Sequence, residues 1–430
     1  MTAAGPWYRE MTRYHWWVLI IASLGWLFDT MDQRIFVLAR SPAMNELLPA
    51  GTPAADVTWY SGLATAIFMI GWAVGGLYFG ILSDRWGRAR TMMLTILIYS
   101  GFTGLSALSQ TWWDFMVYRF LTGLGVGGEF AAGVTLVAEV MPLSARAYAL
   151  GLLQTLSAIG NITGSAISFV VLPIGWRYMF LVGVLPALMV VFAFRKLKEP
   201  EAWVTARAAA ASGEKKMGAM GDLFRDHRWR KHTIIGLILA ISGVVGLWGI
   251  GFWTPELIRE ALRDTSPADR NWYVSMGTLL QDVGAFFGIY TFTVVTAKIG
   301  RRPAFVISFL LGLSATVMTF GWLREPSHIF WMIPILGFCN LTVFGGYAIY
   351  FPELYPTRLR SSGVGFCYNV GRIVAALGPF TLGGLTVFFA DAGYASPFRA
   401  AAIALASIYL VGVFAMPFAP ETRGKPLPEE

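Results

Sequence analysis

The stretch Gly80-Ile-Leu-Ser-Asp-Arg-Trp-Gly-Arg88 returns later in the chain as Val294-Val-Thr-Ala-Lys-Ile-Gly-Arg-Arg302. Its Gly-Arg pair moves by 213 positions, from residues 87 and 88 to residues 300 and 301. A second motif recurs with a displacement of 214, since Glu139, Pro142, Arg146 and Gly151 match Glu353, Pro356, Arg360 and Gly365. Two separate motifs at nearly one displacement indicate that the chain is a duplicated unit with parallel halves.

The composition is that of a membrane protein. Of the 430 residues, 56% are hydrophobic and 13% are charged, whereas a soluble domain averages about 25% charged residues. So little charge cannot cover a water-soluble surface, and most of the chain must face lipid or its own interior. The formal net charge of +8 follows the membrane topology described below, and we expect no nucleic-acid partner.

Apolar runs divide the chain into twelve predicted spans. A helix crosses the hydrocarbon core in about 20 apolar residues, and lipid-exposed backbone must be helical there. The runs cover 16–38, 58–82, 91–109, 112–141, 147–171, 176–194, 232–258, 272–297, 304–323, 328–352, 361–389 and 394–418. The sequence predicts an all-α membrane protein with twelve transmembrane helices in two pseudo-symmetric six-helix halves. The predicted domains are the halves 1–194 and 232–418, a linker, 195–231, and a tail, 419–430.

The basic residues predict the orientation. With twelve spans, both termini lie on the same side of the membrane. The termini and the loops on that side hold 23 of the 33 Lys and Arg residues, and the loops on the opposite side hold five. Basic residues accumulate on the cytoplasmic side of a membrane. We therefore expect a multi-pass protein of the inner membrane with both termini, the linker and the tail in the cytoplasm.

The loop motifs resemble those of a known transporter family. Asp84-Arg-Trp-Gly-Arg88 looks like the signature of the major facilitator superfamily between its second and third helices. Arg119-Phe-Leu-Thr-Gly-Leu-Gly-Val-Gly-Gly-Glu129 is similar to the fourth-helix signature of its solute symporters. Three more segments complete the pattern, namely Glu139-Val-Met-Pro142, Pro352-Glu-Leu-Tyr-Pro-Thr-Arg358 and Pro420-Glu-Thr-Arg-Gly424. The resemblance covers the whole chain and implies the major facilitator fold and secondary transport by alternating access.

A narrower resemblance concerns the first span. Phe28-Asp-Thr-Met-Asp32, after Gly25 and Trp26, resembles the first-helix signature of the organic-acid:proton symporters, in their sialate and aromatic-acid branches. It departs from the aromatic-acid pattern at Thr30, where that pattern has glycine. The resemblance implies a proton-coupled symporter that imports a small organic anion.

Charged residues inside predicted spans mark the candidate site, because charge at membrane depth is costly and accompanies ion or substrate paths. They are Asp29, Asp32, Arg34, Arg119, Glu129, Asp282 and Arg372. Their repeat positions hold no charge, since they are Ser242, Val245, Leu247, Ile333, Val343, Met69 and Ala158 in the same order. The loop motifs are therefore present in both halves, whereas each buried charge is present in only one of them. This is expected when the two halves share a scaffold and the functional site has diverged between them.

We predict that the acids Asp29, Asp32, Glu129 and Asp282 carry coupled protons. Asp29 and Asp32 lie on one helical face, at mid-membrane depth or slightly beyond. Two neighbouring carboxylates in a low dielectric cannot both ionise easily, which suits a proton-coupling site. Pairing with Arg34 would hold Asp32 ionised, so Asp29 is the first candidate.

The predicted substrate site combines cations for a carboxylate with polar and aromatic groups. Its members are Arg372, Arg34, Arg119, Gln154, Asn161, Gln281, Trp26, Trp248, Tyr368 and Asn369. For Arg119, which lies near the outer end of its helix, a fixed structural ion pair is the main alternative.

A cytoplasmic gate is predicted from the charged residues of the loop motifs, Asp84, Arg88, Glu139, Arg146, Arg301, Glu353, Arg360 and Glu421. Arg88 is expected to reach Glu139, and Arg301 to reach Glu353 or Glu421. Such ion pairs would hold the halves together while the outside is open and would break when the inside opens. The alternative is that these arginines only enforce topology.

Other functions stay open. A sugar or polyol symporter could use Gln154 and Asn161, which share a face of the fifth helix, although the seventh span lacks the Gln-Gln pair typical of sugar porters. A drug efflux antiporter is disfavoured because the fifth helix lacks the Gly-Pro motif of such antiporters. A non-transporting sensor is a further alternative.

The chain is not expected to be an enzyme. Its four histidines, His15, His227, His232 and His328, are scattered near span ends and in loops, and no nucleophile or metal constellation accompanies them. We expect no cofactor and no metal. The expected partners are a small-molecule substrate, protons and the lipid bilayer, and a monomer is the default for this fold.

Overall fold

The computed structural model describes residues 6–188, 196–211, 216–375 and 378–429, and the regular structure in these ranges is helical. In chain order the α-helices are α1 (Arg13–Leu47), α2 (Ala54–Trp86), α3 (Arg88–Ser106), α4 (Trp112–Val140), α5 (Leu143–Val171), α6 (Trp176–Val182), α7 (Glu201–Ala211), α8 (Asp222–Arg225), α9 (His227–Gly249), α10 (Thr254–Ala261), α11 (Pro267–Ile299), α12 (Arg301–Trp322), α13 (Pro326–Glu353), α14 (Arg360–Ala375), α15 (Gly378–Asp391), α16 (Pro397–Leu405) and α17 (Ile408–Ala415). Four 3-10 segments accompany them, at Trp7–Glu10, Gly251–Trp253, Thr357–Leu359 and Met416–Phe418.

The predicted spans coincide with helices. Within the described ranges, seven helices are long and apolar enough to cross a membrane by length and composition, namely Trp59–Trp86, Trp112–Val140, His227–Leu247, Asp269–Ile299, Arg301–Trp322, Pro326–Glu353 and Pro397–Phe418. The first, third and fifth predicted spans fall on α1, α3 and α5, which are continuous but carry more polar residues. The described part of the sixth span falls on the shorter apolar helix Trp176–Leu188, and the eleventh falls on α14 and α15, the latter with the apolar stretch Thr381–Asp391. Residues 189–194 and 376–377 of these two spans lie outside the described ranges.

The seventh span is interrupted, where the sequence predicted one continuous run over 232–258. Helix α9 ends at Gly249, and Ile250 leaves helical geometry with φ −127° and ψ −57°. A 3-10 turn follows, and α10 then starts with Pro255 in its first turn. Glycines on both sides of Ile250 make the break inexpensive, and proline is favoured where a helix begins. Within the twelfth span, Pro397–Phe418, a turn at residues 406–407 separates α16 from α17, but the apolar stretch continues through it.

Gly87 and Gly300 make the tight turns that the repeated motif predicted. Gly87 alone separates α2 from α3, with φ 126°, and Gly300 alone separates α11 from α12, with φ 97°. Residues with a side chain rarely adopt such angles. Small residues also bring α2 and α4 into backbone contact, since a methyl group on Gly75 would lie 2.0 Å from Leu124 O and one on Gly127 2.0 Å from Trp72 O. Close approach of this kind is typical of helix pairs in membranes.

Contacts divide the chain into two compact units. The first comprises residues up to 230 together with 351–369 and 426–430, and the second comprises 231–350 and 370–425. Residues 351–369 join the first unit because their polar groups contact Asp84 and Glu139. The domain boundaries drawn from the sequence stay a prediction.

Candidate functional site

Three buried acids lie together in the first unit. Asp29 and Asp32 of α1 have no exposed surface, and Glu129 of α4 is 1% exposed. Asp29 interacts electrostatically with Glu129, and the phenol of Tyr99, on α3, interacts with all three acids. Gln33 Nε2 donates a hydrogen bond to Asp29 Oδ1 at 3.3 Å. The structure therefore brings three of the four predicted proton-coupling residues into one cluster.

Arg119 is the cation beside Asp32. Its Nη1 lies 3.7 Å from Asp32 Oδ2, and neither side chain has exposed surface. The guanidinium also donates to hydroxyl oxygens of Ser106 at 2.8 Å, Thr122 at 2.9 Å and Thr103 at 3.2 Å. These contacts lie between α1, α3 and α4, and they favour the structural ion pair that the sequence left open as the alternative for Arg119.

Aromatic rings surround the same guanidinium. The ring centroids of Phe180, Phe36 and Phe115 lie 4.8, 5.4 and 6.0 Å from Arg119 Cζ. Cations are attracted to ring faces at such distances.

Glu129 has a different environment from Asp32. Both of its carboxylate oxygens are buried, and neither accepts a hydrogen bond from any residue that the structure describes. Glycines make room for it, because a methyl group would lie 2.7 Å from Glu129 Oε1 if placed on Gly25 and 3.3 Å if placed on Gly133. Tyr99 Oη donates to Gly25 O at 3.3 Å. The carboxyl group is therefore packed by small residues and lacks a compensating donor among the described residues.

An aromatic stack is formed by Trp26, Phe130 and Tyr368, and Phe130 is the residue after Glu129 in the sequence. The rings of Trp26 and Phe130 are 4.7 Å apart and tilted by 47°, and those of Phe130 and Tyr368 are 4.2 Å apart and tilted by 22°. Asn369, next to Tyr368, donates from Nδ2 to Gly365 O at 2.8 Å. The structure thus places three predicted substrate residues, Trp26, Tyr368 and Asn369, in one region. Phe130 was missed because an apolar residue in an apolar span gives no signal except its position beside Glu129.

The other predicted substrate residues of the first unit lie on α1 and α5. Gln154 is 3% exposed, and Arg34 and Asn161 are half-buried. A methyl group on Gly164 would lie 2.8 Å from Arg34 Cβ, so α1 and α5 pack closely there.

The second unit holds the remaining intramembrane candidates. Asp282 is 9% exposed and Arg372 is 6% exposed. Gln281 Nε2 donates to Gly251 O at 3.4 Å, at the break after α9. The side chain of Trp248 lies outside the described part of the structure.

The predicted gate forms an ion-pair cluster around Glu139 in the first unit. Arg88 binds Glu139 with two parallel hydrogen bonds, Nε to Oε2 and Nη2 to Oε1, both of 3.0 Å. Arg360 Nη1 donates to the same Oε1 at 2.5 Å. Arg88 Nη1 also lies 3.0 Å from Asp84 Oδ1. Bidentate pairs between arginine and carboxylate fix geometry as well as charge, and they confirm the predicted contact between Arg88 and Glu139.

Asp84 caps helix α14. Its Oδ1 accepts the backbone N–H of Ser361 at 3.1 Å, and its Oδ2 accepts the N–H and the hydroxyl of Ser362 at 2.9 and 2.5 Å. The first N–H groups of a helix lack partners within the helix, and an anion satisfies them. Asp84 therefore holds the start of α14 against the end of α2.

Glu421 and Glu199 cap two other helices. Glu421 accepts the N–H groups of Arg301 at 3.0 Å and Arg302 at 3.1 Å, at the start of α12. Burial alone would raise the pKa of Glu421, but hydrogen bonds from the N–H groups of Arg301, Arg423 and Arg302 lower it. Glu199 accepts the N–H groups of Arg88 at 2.6 Å and Arg90 at 3.1 Å, at the start of α3.

Glu199 was not predicted from the sequence. The signal was its place, since Glu199 follows the sixth predicted span as Glu421 follows the twelfth. Among the other predicted gate residues, Arg146 donates from Nε to Ala138 O at 3.0 Å, and Glu353 is 6% exposed. Arg301 Nη1 donates to Thr296 O at 3.3 Å.

Comparison with known proteins agrees with this geometry. The model of the Major Facilitator Superfamily matches residues 22–379. A putative metabolite transport protein of Haemophilus influenzae is 32% identical over 426 residues, covering 97% of this chain and 99% of the relative. The cis,cis-muconate transport protein of Acinetobacter baylyi is 30% identical over 335 residues, covering 75% and 78%.

A solved structure supports the fold. The proton:xylose symporter XylE matches with a TM-score of 0.76 over 96% of this chain and 98% of its own, at 18% identity. A likeness at this identity concerns the fold alone. With the family model covering most of its length, this all-helical, multi-pass membrane protein belongs to the Major Facilitator Superfamily of transporters and is not an enzyme.

Proposed function

We propose that this secondary transporter is a proton-coupled symporter that imports a small organic anion across the inner membrane. The observation that carries the proposal is the environment of Glu129, a buried carboxyl group beside Asp29 with no hydrogen-bond donor among the described residues. An ionised carboxylate without donors is costly in a low dielectric. A carboxyl group in this place is stable when it carries a proton, and releases the proton only when its surroundings change.

The neighbouring acids have different parts in this proposal. Asp32 is compensated by Arg119 at 3.7 Å, so it serves as a fixed charge. Asp29 and Glu129 form the titrating pair, with Asp282 of the second unit as the other candidate. Compared with the expectation from sequence, the leading pair moves from Asp29 and Asp32 to Asp29 and Glu129.

Arg372 is the proposed partner of the substrate carboxylate. A guanidinium can bind a carboxylate through two parallel hydrogen bonds, and Arg372 is a nearly buried cation near the end of α14. Within the first unit, the aromatic stack of Trp26, Phe130 and Tyr368 offers flat apolar surface of the kind that an unsaturated acid can contact. The muconate transporter among the relatives supports an organic acid as the substrate class.

The cluster around Glu139 is the proposed cytoplasmic gate. It joins Arg88 of α3 to Arg360 of α14, and Asp84 adds hydrogen bonds to Ser361 and Ser362. The basic residues of these loops support a cytoplasmic location. In alternating access the cluster holds when substrate enters from outside and separates when substrate leaves to the cytoplasm.

Uptake into proteoliposomes tests the proposal. Labelled cis,cis-muconate, sialic acid and xylose are offered separately, with a pH gradient, a sodium gradient or no gradient. We expect the parent protein to accumulate an acid under the pH gradient alone. Glu129→Gln and Asp29→Asn should lose accumulation and retain exchange of labelled for unlabelled acid, because amides keep the shape of the acids and cannot titrate.

Matched variants make the outcome specific. Glu46→Gln removes a half-exposed acid on α1 that pairs with Arg177, and it should accumulate acid like the parent protein. Asp282→Asn tests the second unit in the same way. Accumulation by both Glu129→Gln and Asp29→Asn would contradict the assignment, uptake driven only by sodium would contradict proton coupling, and accumulation of xylose alone would favour the sugar symporter.

A further inference from the structure

The second unit contains a group of buried polar atoms that have no hydrogen-bond partner among the described residues. They are Oδ1 and Nδ2 of Asn340, Oη of Tyr409, and Oγ1 of Thr316 and Thr319. The four residues are at most 1% exposed. Polar groups inside native proteins are nearly all hydrogen-bonded once ordered water is counted. A bound small molecule such as water can supply the hydrogen bonds that the described residues do not.

The atoms come from α12, α13 and α17, and contacts with two glycines place Asn340 near both Tyr409 and the break that follows α9. A methyl group on Gly312 of α12 would lie 3.1 Å from Tyr409 Cζ and 3.5 Å from Asn340 Oδ1. A methyl group on Gly251 would lie 3.6 Å from Asn340 Nδ2 and 3.7 Å from Gln281 Nε2. The amide of Asn340 therefore extends from Gly312 to the break that follows α9. Thr316 lies one helical turn beyond Gly312, on the same face of α12.

The repeat shows what occupies the corresponding place in the first unit. With the displacement of 213, Thr316 and Thr319 correspond to Thr103 and Ser106, whose hydroxyl groups accept hydrogen bonds from Arg119. The position that corresponds to Arg119 is Ile333, at 214. The second unit has thus kept a pair of hydroxyl groups without the guanidinium that binds them in the first.

Charge decides which ligand fits. In the first unit Asp32 balances the cation, but its counterpart in the second unit is Val245, which is buried and apolar. The lining groups described above are amides, hydroxyls and backbone, with no charged side chain among them. A bound cation would lack compensation, whereas water both donates and accepts and needs two to four polar partners.

We propose that the second unit encloses a hydrated pocket in which water links Asn340 and Tyr409 to Thr316 and Thr319, beside the break that follows α9. The water also gives this break a function. Helix α9 ends at Gly249, and backbone groups freed by a break inside a membrane must find partners in protein or water. Exchangeable water partners lower the cost of changing the angle between α9 and α10.

X-ray radiolytic hydroxyl labelling tests the pocket on the purified full chain, because bound water generates radicals next to buried side chains. Tyr409 is the reporter. Tyr347 is its matched control, since it is also fully buried in the second unit but its hydroxyl donates to Leu239 O. We expect Tyr409 to be labelled several-fold faster than Tyr347. Equal labelling of the two tyrosines in the parent protein would overturn the proposal.

Two variants identify the water-binding groups. Asn340→Leu should bring the labelling of Tyr409 down to that of Tyr347, because it removes both amide partners. The near-isosteric double variant Thr316→Val/Thr319→Val should lower it as well, and it serves if Asn340→Leu does not fold. Undiminished labelling of Tyr409 in a folded variant of either kind would also overturn the proposal.

Discussion

The ion pair between Asp32 and Arg119 limits which of the buried acids are proposed to change their protonation. Taking two charges out of water is expensive, and a buried pair is repaid only when further hydrogen bonds satisfy it. Here three hydroxyl groups and three aromatic rings surround the guanidinium. The pair therefore adds a fixed, neutral unit to the interior, and in the proposed mechanism the neighbouring Asp29 and Glu129 are the groups that change their protonation.

A double-mutant cycle tests this structural part. Asp32→Leu or Arg119→Met alone should destabilise the protein by about 3–5 kcal/mol, because each leaves an uncompensated buried charge. The double variant should be more stable than either single variant, since both charges are then absent. Thermal or denaturant unfolding in detergent measures the effect. Additive losses in the double variant would show that the two side chains do not compensate one another.

Arg372 gives a second prediction at the scale of single residues. Arg372→Ala should abolish binding of cis,cis-muconate to the purified protein, because the guanidinium is proposed to bind the substrate carboxylate. Arg372→Lys should restore binding poorly, since lysine offers a point charge in place of a planar fork. Isothermal titration measures the binding. Unchanged affinity in Arg372→Ala would transfer the role to Arg34.

How far the sequence predicted the site depends on what the duplication could show. The buried acids stood out because their repeat positions are uncharged. The partner of Asp32 could not be identified in this way, since Arg34 is two residues away and Arg119 is 87 residues away (119 minus 32). The contact between α1 and α4 belongs to the tertiary structure, and the sequence pattern does not reveal it. Phe130 was not predicted because it is an apolar residue in an apolar span. Glu199 was not predicted because it lies outside the motifs that repeat.

At the scale of helices, capping by carboxylates from distant segments holds the loops in place. Asp84 caps α14, Glu199 caps α3 and Glu421 caps α12. Each acid satisfies N–H groups that the helix itself cannot. The sequence predicted the arginines after Gly87 and Gly300 as ion-pair partners, and the structure adds that their backbone N–H groups bind carboxylates.

The Glu421 cap should make stability depend on pH. The pKa of Glu421 is below its ordinary value, so its contribution is present above the unfolded value of about 4.3 and is lost as the pH falls through the lower folded value. Glu421→Gln should lower stability by about 1 kcal/mol at pH 7, as loss of a helix cap does. Melting of both proteins from pH 7 to about pH 3 measures the difference.

The control for this pH series is Glu429→Gln, in the exposed tail. It should melt like the parent protein at each pH. We expect the difference between Glu421→Gln and the parent to shrink at the acidic end. A constant difference across the series would show that the charge of Glu421 does not contribute.

The helices themselves were predictable where hydropathy decides them. The predicted spans fall on helices because an apolar run in lipid has no other way to satisfy its backbone. The break at Ile250 was not predicted, since Gly249 and Gly251 lie in a run that stays apolar. Hydropathy reports which segments enter a membrane, and it is insensitive to a short interruption that other buried groups can satisfy.

At the scale of the whole molecule, the cluster around Glu139 connects segments that are far apart in the sequence. Arg88 and Arg360 bind the same carboxylate, and Ser83 Oγ lies 2.9 Å from Ser361 Oγ, with both serines fully buried. These contacts hold residues 351–369 within the first unit. If the cluster is the cytoplasmic gate, it must separate once in each transport cycle.

A disulfide between Ser83→Cys and Ser361→Cys tests that requirement. The two hydroxyl oxygens are near enough for the sulfur atoms that replace them to reach bonding distance, about 2.05 Å. The native Cys339 and Cys367 are buried and can remain. Oxidation should stop both net uptake and exchange, because each needs the gate to open, and reduction should restore them. Either single variant should transport under both conditions.

The fraction of activity lost should equal the fraction of protein that is cross-linked, which peptide mapping measures. Full transport by the cross-linked protein would show that residues 83 and 361 stay together throughout the cycle.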